Sequence, residues 1–295
     1  PAAAKPGVKR FMSRKRTDSS GISFTALYTG AVWHRYGLSD DTLATEKGRW
    51  LYRLMTPFEA ASKAAIGGNI RTFLLQRHLI IDHLIDQAIR DKGITQVLEI
   101  ACGMSPRGIR LRQKHPLLHM VEADLPDMAA RKALRLMATG RLGDHHQVTP
   151  IDILADHGEY QLEKVIDRVF ENNEPVIIVT EGLTSYFSLD TITEFWRRLA
   201  AAMAKRPGSV YLSESYSQPS QPLLNTTLKV LGGVLGAVTR SQVSFHFQTD
   251  EQAREHFLSC GFASATVHDP RSWYGVLPIP ESRGEPMVRV IEAGC

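Results

Sequence analysis

Acidic residues close four consecutive apolar runs in this chain. Glu99 ends Val97-Leu98-Glu99-Ile100, and Glu122 and Asp124 sit in Val-Glu-Ala-Asp-Leu-Pro. Asp152 follows in Ile151-Asp152-Ile153-Leu154, and Glu181 in Val179-Thr180-Glu181-Gly182. A carboxylate after a second strand can accept both hydrogen bonds of a ribose diol. One after a third strand can reach an adenine edge or its neighbouring backbone. One near the end of a fourth can balance an ammonium or a sulfonium. Any single one reads first as a loop residue or a helix cap. Four in succession point to a shared ligand site.

After Glu99 small residues alternate: Ala101, Gly103 and Ser105. They leave little side chain in the way, so a cofactor can lie against bare backbone with the next helix N-terminus nearby. Glu-x-Ala-x-Gly-x-Ser is a relaxed E/D-x-G-x-G-x-G loop, and the first reading is a site for S-adenosylmethionine (SAM). Gly103-x-Ser105-x-x-Gly108 also approaches the dinucleotide fingerprint, with Asp124 at a suitable distance, so an NAD-dependent oxidoreductase is the alternative. Glu99 weighs against it, because a dinucleotide fold usually keeps that strand end apolar. Pro106 does too, since it lacks an N–H where a pyrophosphate loop wants a donor. For proton transfer, His246 in Ser-Phe-His-Phe is the first candidate base, ahead of His34 and Tyr216. Phe24, Tyr28, Trp33 and Tyr36 either wall a flat acceptor or form the core of the helices that carry them.

The elements that must position these residues follow from periodicity. Helical stretches cover 23–36 and 42–55, and an amphipathic helix starts at Ile70 and ends at Gly93. Strands are predicted at 96–101, 118–124, 146–152, 176–181, 209–215, 264–269 and 287–292. Helices at 107–114, 128–139, 189–205 and 250–260 lie between them. Alternating strands and helices imply an α/β fold with a doubly wound, mostly parallel seven-stranded sheet. The expected organisation is a disordered basic tail over 1–18, a helical cap and lead-in helix over 19–92, and a core over 93–295. That core includes a long insertion over 216–248, whose apolar part, 223–238, is either packing or a pocket wall.

The chain has 295 residues and a formal charge of +4. Lys5, Lys9, Arg10, Arg14, Lys15 and Arg16 exceed that charge alone, leaving the rest near neutral. A basic face broad enough for RNA is therefore not expected. No apolar run is long enough for a membrane span. Cys102, Cys260 and Cys295 lack paired spacing, so neither a disulfide framework nor a metal site is expected, and a cytoplasmic location is.

The runs from Val97 to Leu111, through Val-Glu-Ala-Asp-Leu-Pro, at Ile151–Leu154 and at Glu181-Gly182-Leu183-Thr184-Ser185-Tyr186 resemble the leucine carboxyl methyltransferase family. That family includes the tetracenomycin-type polyketide O-methyltransferases. The resemblance implies a class I SAM-methyltransferase (Rossmann-like) fold, a helical cap and a late insertion over the active site. It implies that Gly103 touches the cofactor backbone and Asp124 the ribose, with Ala101 and Leu125 beside them. Asp152 with Ile153 would flank the adenine. Glu181 with Gly182 would face the methionine amino end, and Arg71 its carboxylate. Glu99 would close the same site. Where the polyketide branch has Leu-Gly-x-Gly-x-Asp-Thr-Arg, this chain has Ala-Cys-Gly-Met-Ser-Pro-Arg; Arg107 keeps the arginine and Ser105 stands near the lost Asp. The expected activity is O-methylation of a hydroxyl or carboxylate on a small secondary-metabolite acceptor, in a pocket lined by Tyr28, Tyr186, Tyr216 and His246. A protein or tRNA carboxyl methyltransferase of the same fold is the alternative. The chain is expected to act as a monomer or homodimer.

Overall fold

The computed structural model describes residues 20–170, 173–216 and 244–295. The expected basic tail and apolar segment 223–238 lie outside them. Three helices come first: α1 (Ser20–Arg35), α2 (Glu46–Ile66) and α3 (Ile70–Lys92). Strands then alternate with helices: β1 (Gln96–Ile100), α4 (Arg107–Lys114), β2 (His119–Asp124), α5 (Pro126–Ala138), β3 (His146–Pro150), α6 (Leu162–Val169) and β4 (Ile177–Thr180). The series continues with α7 (Leu189–Met203), β5 (Val210–Tyr216), α8 (Asp250–Ser259), β6 (Ser264–His268) and β7 (Val288–Gly294).

The strands form one sheet in the order β3-β2-β1-β4-β5-β7-β6. β1 pairs in parallel with β2 and β4, while β7 runs antiparallel to both β5 and β6. The order reverses at β1 and β4, so the carboxyl ends of β1, β2 and β4 flank the crevice where such sheets bind ligands. Side-chain alternation divides the strands between two cores. Val97, Met120, Ile177 and Leu212 pack under α3 and α4, with Ile81, Leu84 and Leu111. Leu98, Val121, Ile178 and Tyr211 pack on the opposite face under α6, α7 and α8, with Val165, Trp196 and Phe257.

Two elements differ from expectation. α6 is not among the expected helices: Leu162, Val165, Ile166 and Val169 recur at helical spacing, but over only eight residues. α2 starts later and runs further than 42–55. Thr45 caps it, its side chain accepting the Gly48 N–H, and the helix continues through Pro57. The stretch Glu59-Ala60-Ala61-Ser62-Lys63-Ala64-Ala65 has enough helix propensity to outlast the one donor that Pro57 lacks.

α1 and α2 are joined to the start of α3 by a polar hub. Arg71 lies over the Tyr52 ring, 3.8 Å from its centroid. It donates to Tyr28 Oη at 3.1 Å, the Tyr52 carbonyl at 3.0 Å and Thr56 Oγ1 at 2.8 Å. Glu59 accepts from Tyr28 Oη and from the Arg71 backbone N–H. Val32, Leu51, Met55 and Leu74 pack around this hub. Among the described residues no helix is long and apolar enough to cross a membrane.

Candidate active site

β1 leads into a loop bent by two left-handed residues, Ala101 at φ 56° and Gly103 at φ 47°. Ala101 is not glycine, so its conformation costs on the order of 1 kcal/mol and must be held by its surroundings. The Cys102 N–H donates to the Ala123 carbonyl at 3.1 Å, and the Ser105 N–H to the Cys102 carbonyl at 2.8 Å. The Gly103 N–H donates to Asp124 Oδ2 at 2.7 Å, and the Leu125 N–H to Asp124 Oδ1 at 2.7 Å. Burial pushes the Asp124 carboxyl up, against the two amide donors. Asp124 is only part-buried, so lone pairs on both oxygens remain for a diol. Beyond β3, Asp152 Oδ1 accepts the Leu154 N–H at 3.0 Å, beside buried Ile153 and half-exposed Leu125 and Leu154. α1 closes over the loop: a Cβ on Gly103 would lie 3.3 Å from Ala26. This arrangement suits an adenosine, with a carboxylate for the ribose and apolar side chains for the base.

The ends of β1 and β4 are dominated by buried charge. Glu99 lies in register with Glu122, so β1 and β2 place two acids side by side under α4. Arg107, fully buried at the start of α4, answers three carboxylates: its Nη1 pairs with Glu99 Oε1, its Nη2 with Glu181 Oε2 at 2.6 Å, and its Nε with Asp82 Oδ1 at 2.6 Å. Glu181 also accepts from Arg77 Nε at 3.0 Å and from His78 Nδ1 at 2.8 Å. A carboxylate can only accept, which assigns that proton to His78 Nδ1. Burial would raise the Glu181 carboxyl, but His78, Arg107 and Arg77 together hold it well below the usual carboxylate range. Trp33 packs on His78, ring centroids 4.7 Å apart, and shuts the cluster from above.

Arg77 extends towards β5. Its Nη1 donates to Tyr216 Oη. Gly182 has φ 73°, and a Cβ there would stand 3.0 Å from Arg77 Nη2, so the guanidinium lies on bare backbone. The Gly182 N–H donates to Glu214 Oε2 at 2.9 Å. Burial pushes the Glu214 carboxyl up and the Tyr216 phenol up to about 12, both against the attraction of Arg77. Tyr216 therefore keeps its proton and can itself donate.

A second buried ion cluster sits under the loop. Lys132 of α5 pairs with Glu122 at 2.5 Å, and His146 Nε2 approaches the other Glu122 oxygen at 2.9 Å. Gly108 makes room for them, since a Cβ there would meet Glu122 Oε1 at 2.7 Å and His146 Nε2 at 2.8 Å. Gly→Ala inside a helix ordinarily gains up to about 1 kcal/mol. At Gly108 we expect the opposite sign, a loss of about 2 kcal/mol from overpacking. A lowered midpoint in urea denaturation is the expected reading, and a raised one would contradict this packing.

The structure brings Glu99, Ala101, Gly103, Asp124, Leu125, Glu181 and Gly182 to one edge of the sheet, with Asp152 and Ile153 beyond β3. Arg71 is not among them. Its donors go to Tyr28, Tyr52 and Thr56 in the cap, and the arginines beside Glu181 are Arg77 and Arg107. Tyr28 is likewise in the cap hub, buried at 6% exposure, rather than on a pocket wall. Trp33 is buried and Tyr36 is half-exposed at 51%; the Phe24 side chain lies outside the described residues. His34 bonds Asp41 near the surface. Tyr186, in a single 3₁₀ turn after β4, and Tyr216, the last residue of β5, are part-buried. His246 is part-buried against Trp196, its Nε2 3.1 Å from the Thr184 carbonyl. Arg77, His78, Asp82 and Glu214 were missed by sequence reasoning.

The sequence profile of the leucine carboxyl methyltransferase family matches residues 38–200. A search of curated protein sequences finds no match. Among solved structures, the chain is similar to one described as a candidate methyltransferase from Thermobifida fusca, at 16% identity and TM-score 0.61, covering 91% of this chain and 93% of that one. It is similar to a DUF574 family protein from Streptomyces avermitilis, at 13% identity and TM-score 0.57, covering 90% and 96%. It is also similar to the S-adenosylmethionine-dependent methyltransferase SibL in its apo form, at 14% identity and TM-score 0.50, covering 95% and 70%. At these identities the structures speak for the fold alone, an α/β class I methyltransferase fold. The profile spans more than half of the chain and takes in β1 to β4 with the loops that carry Gly103, Asp124, Asp152 and Glu181, so the chain belongs to the leucine carboxyl methyltransferase family.

Proposed function

We propose that this protein transfers a methyl group from SAM to an oxygen, hydroxyl or carboxylate, of a small secondary-metabolite acceptor. SAM is the cofactor, and when bound it supplies a methyl group activated on a sulfonium. Asp124 would hold the ribose, Asp152 and Ile153 the adenine, and Arg77 Nη2 the methionine carboxylate. Glu181 aims Arg77 and adds negative charge where the ammonium and sulfonium would lie. The remaining work of the chain is alignment and exclusion of water.

His246 is the observation that carries the choice of oxygen. A carbonyl only accepts, so Nε2 carries the proton donated to Thr184. In the neutral ring Nδ1 is then the acceptor, and no hydrogen bond reaches it among the described residues. A hydroxyl acceptor needs such a base, whereas a carboxylate is already ionised and does not. The test starts from a radiolabelled-methyl assay against metabolite extracts, with base lability of the product separating ester from ether. For an ether product, His246→Ala is expected to lower kcat by roughly 100-fold or more. For an ester product it should leave kcat near wild type. Label found only on nitrogen or carbon would overturn the assignment to oxygen. An ether-forming variant with unchanged kcat at every pH would remove His246 from the chemistry.

A further inference from the structure

The buried cluster of Glu122, Lys132 and His146 has no part in the roles above. Lys132 comes from the middle of α5 and is wholly inaccessible to solvent. A buried ammonium is costly unless it is paired and hydrogen-bonded. Glu122 supplies the pair. The further contact is Lys132 Nζ to the Cys102 carbonyl, at 3.4 Å. Cys102 is the residue between the two left-handed positions of the cofactor loop, and the same carbonyl takes the Ser105 N–H.

The partners on every side limit how this ammonium can move. His146 holds Glu122 Oε2, so the carboxylate cannot swing away from Lys132. Gly108 closes the space from α4. Beyond Cys102, the Gly103 N–H grips Asp124. A continuous path therefore runs from β3 through β2 and α5 to the carboxylate that meets the ribose.

We propose that Lys132 is a positioning residue for the nucleoside: its ammonium, aimed by Glu122 and His146, pins the Cys102 carbonyl and so fixes the loop whose Gly103 amide orients Asp124. The charge of Lys132 also favours the ionised form of Asp124, in opposition to burial. The proposal rests on the reading of this loop as the cofactor site.

The test uses the full chain, S-adenosylhomocysteine as the probe in calorimetry, and thermal unfolding of each protein without ligand. Glu122→Gln removes the counter-ion but keeps the Lys132 donor and an amide oxygen that can still aim it, so it should lower Tm and weaken affinity less than Lys132→Met does. Lys132→Met removes the donor and leaves a buried carboxylate, so both Tm and affinity should fall, affinity on the order of tenfold or more. The double variant E122Q/K132M removes both charges and is expected to regain most of the lost Tm but none of the affinity. If Lys132→Met alone does not fold, the double variant still separates the two roles. A purely structural role predicts that affinity returns with Tm. A double variant binding like wild type would overturn the proposal while leaving the cofactor site standing. Wild-type protein that does not bind the probe at all would overturn both.

Discussion

Asp124→Ala is expected to weaken binding of S-adenosylhomocysteine on the order of 100-fold, about 3 kcal/mol. Hydrogen bonds to a charged group contribute roughly 1.5–3 kcal/mol each, and a ribose diol would make two, with less than full additivity. The same carboxylate orients the Gly103 and Leu125 amides, so its loss also frees the loop. The sign of the pH dependence follows from burial, which raises the Asp124 carboxyl above its ordinary value. The diol binds the ionised form. Affinity is therefore full above that raised pKa and falls as pH drops through it. Asp124→Asn should bind more weakly at neutral pH and lose this acid limb. Calorimetry across pH 5 to 8 with both variants checks the claim. Wild-type-like affinity in Asp124→Ala would exclude Asp124 from the ribose site.

The largest effect on stability is expected at Arg107. Arg107→Met leaves Glu99, Asp82 and Glu181 short of their shared counter-ion, and breaking a buried pair in this way costs about 3–5 kcal/mol. Urea denaturation at pH 7 measures it. In the wild type, Glu181 and Asp82 are held below their ordinary values: burial opposes this, but His78 and Arg107 outweigh it in both, aided by Arg77 at Glu181 and by Arg110 at Asp82. Their contribution is present above the unfolded carboxyl pKa and is lost as pH falls through the folded one. In the variant the same carboxyls rise, because burial is no longer answered. The deficit of Arg107→Met is thus greatest at neutral pH and shrinks towards pH 5. A deficit that grows on acidification would contradict this account. Arg107→Lys cannot reach three carboxylates with one ammonium and should recover only part of the loss.

The first four strand ends were legible because an acid stands at each, and the sheet follows from the alternation of strands with helices. The antiparallel entry of β7 between β5 and β6 was not, since local patterning is blind to strand direction. The misplaced arginine is more instructive. On α3 the apolar stripe runs Ile70, Phe73, Leu74, Ile81, Leu84 and Ile85, and the positions that should continue it, 77 and 78, hold Arg and His. Both are buried, and both meet Glu181. A polar interruption on a buried helix face was a sharper signal than an arginine near the helix start, because charge there needs a partner. Glu214 carried no such mark: it sits in Leu-Ser-Glu-Ser, where strand alternation accounts for it without a ligand. Lys132 looked like an ordinary helix lysine, and its burial arises only when α5 packs on β2.

α3 has two separate duties along its length. Its first turn, at Arg71, belongs to the cap through Tyr28, Tyr52, Thr56 and Glu59. The turns that follow, at Arg77, His78 and Asp82, belong to the buried ion cluster fastened by Arg107. The two sets of polar bonds share no side chain. The two halves still touch through α1, because Trp33 packs on His78 and Ala26 lies against Gly103. α3 is therefore a joint under two loads: substitutions at Tyr52, Thr56 or Glu59 of α2 bear on its first turn alone, whereas substitutions at Ala26 or Trp33 of α1 bear on the loop after β1 and on the turns beyond as well.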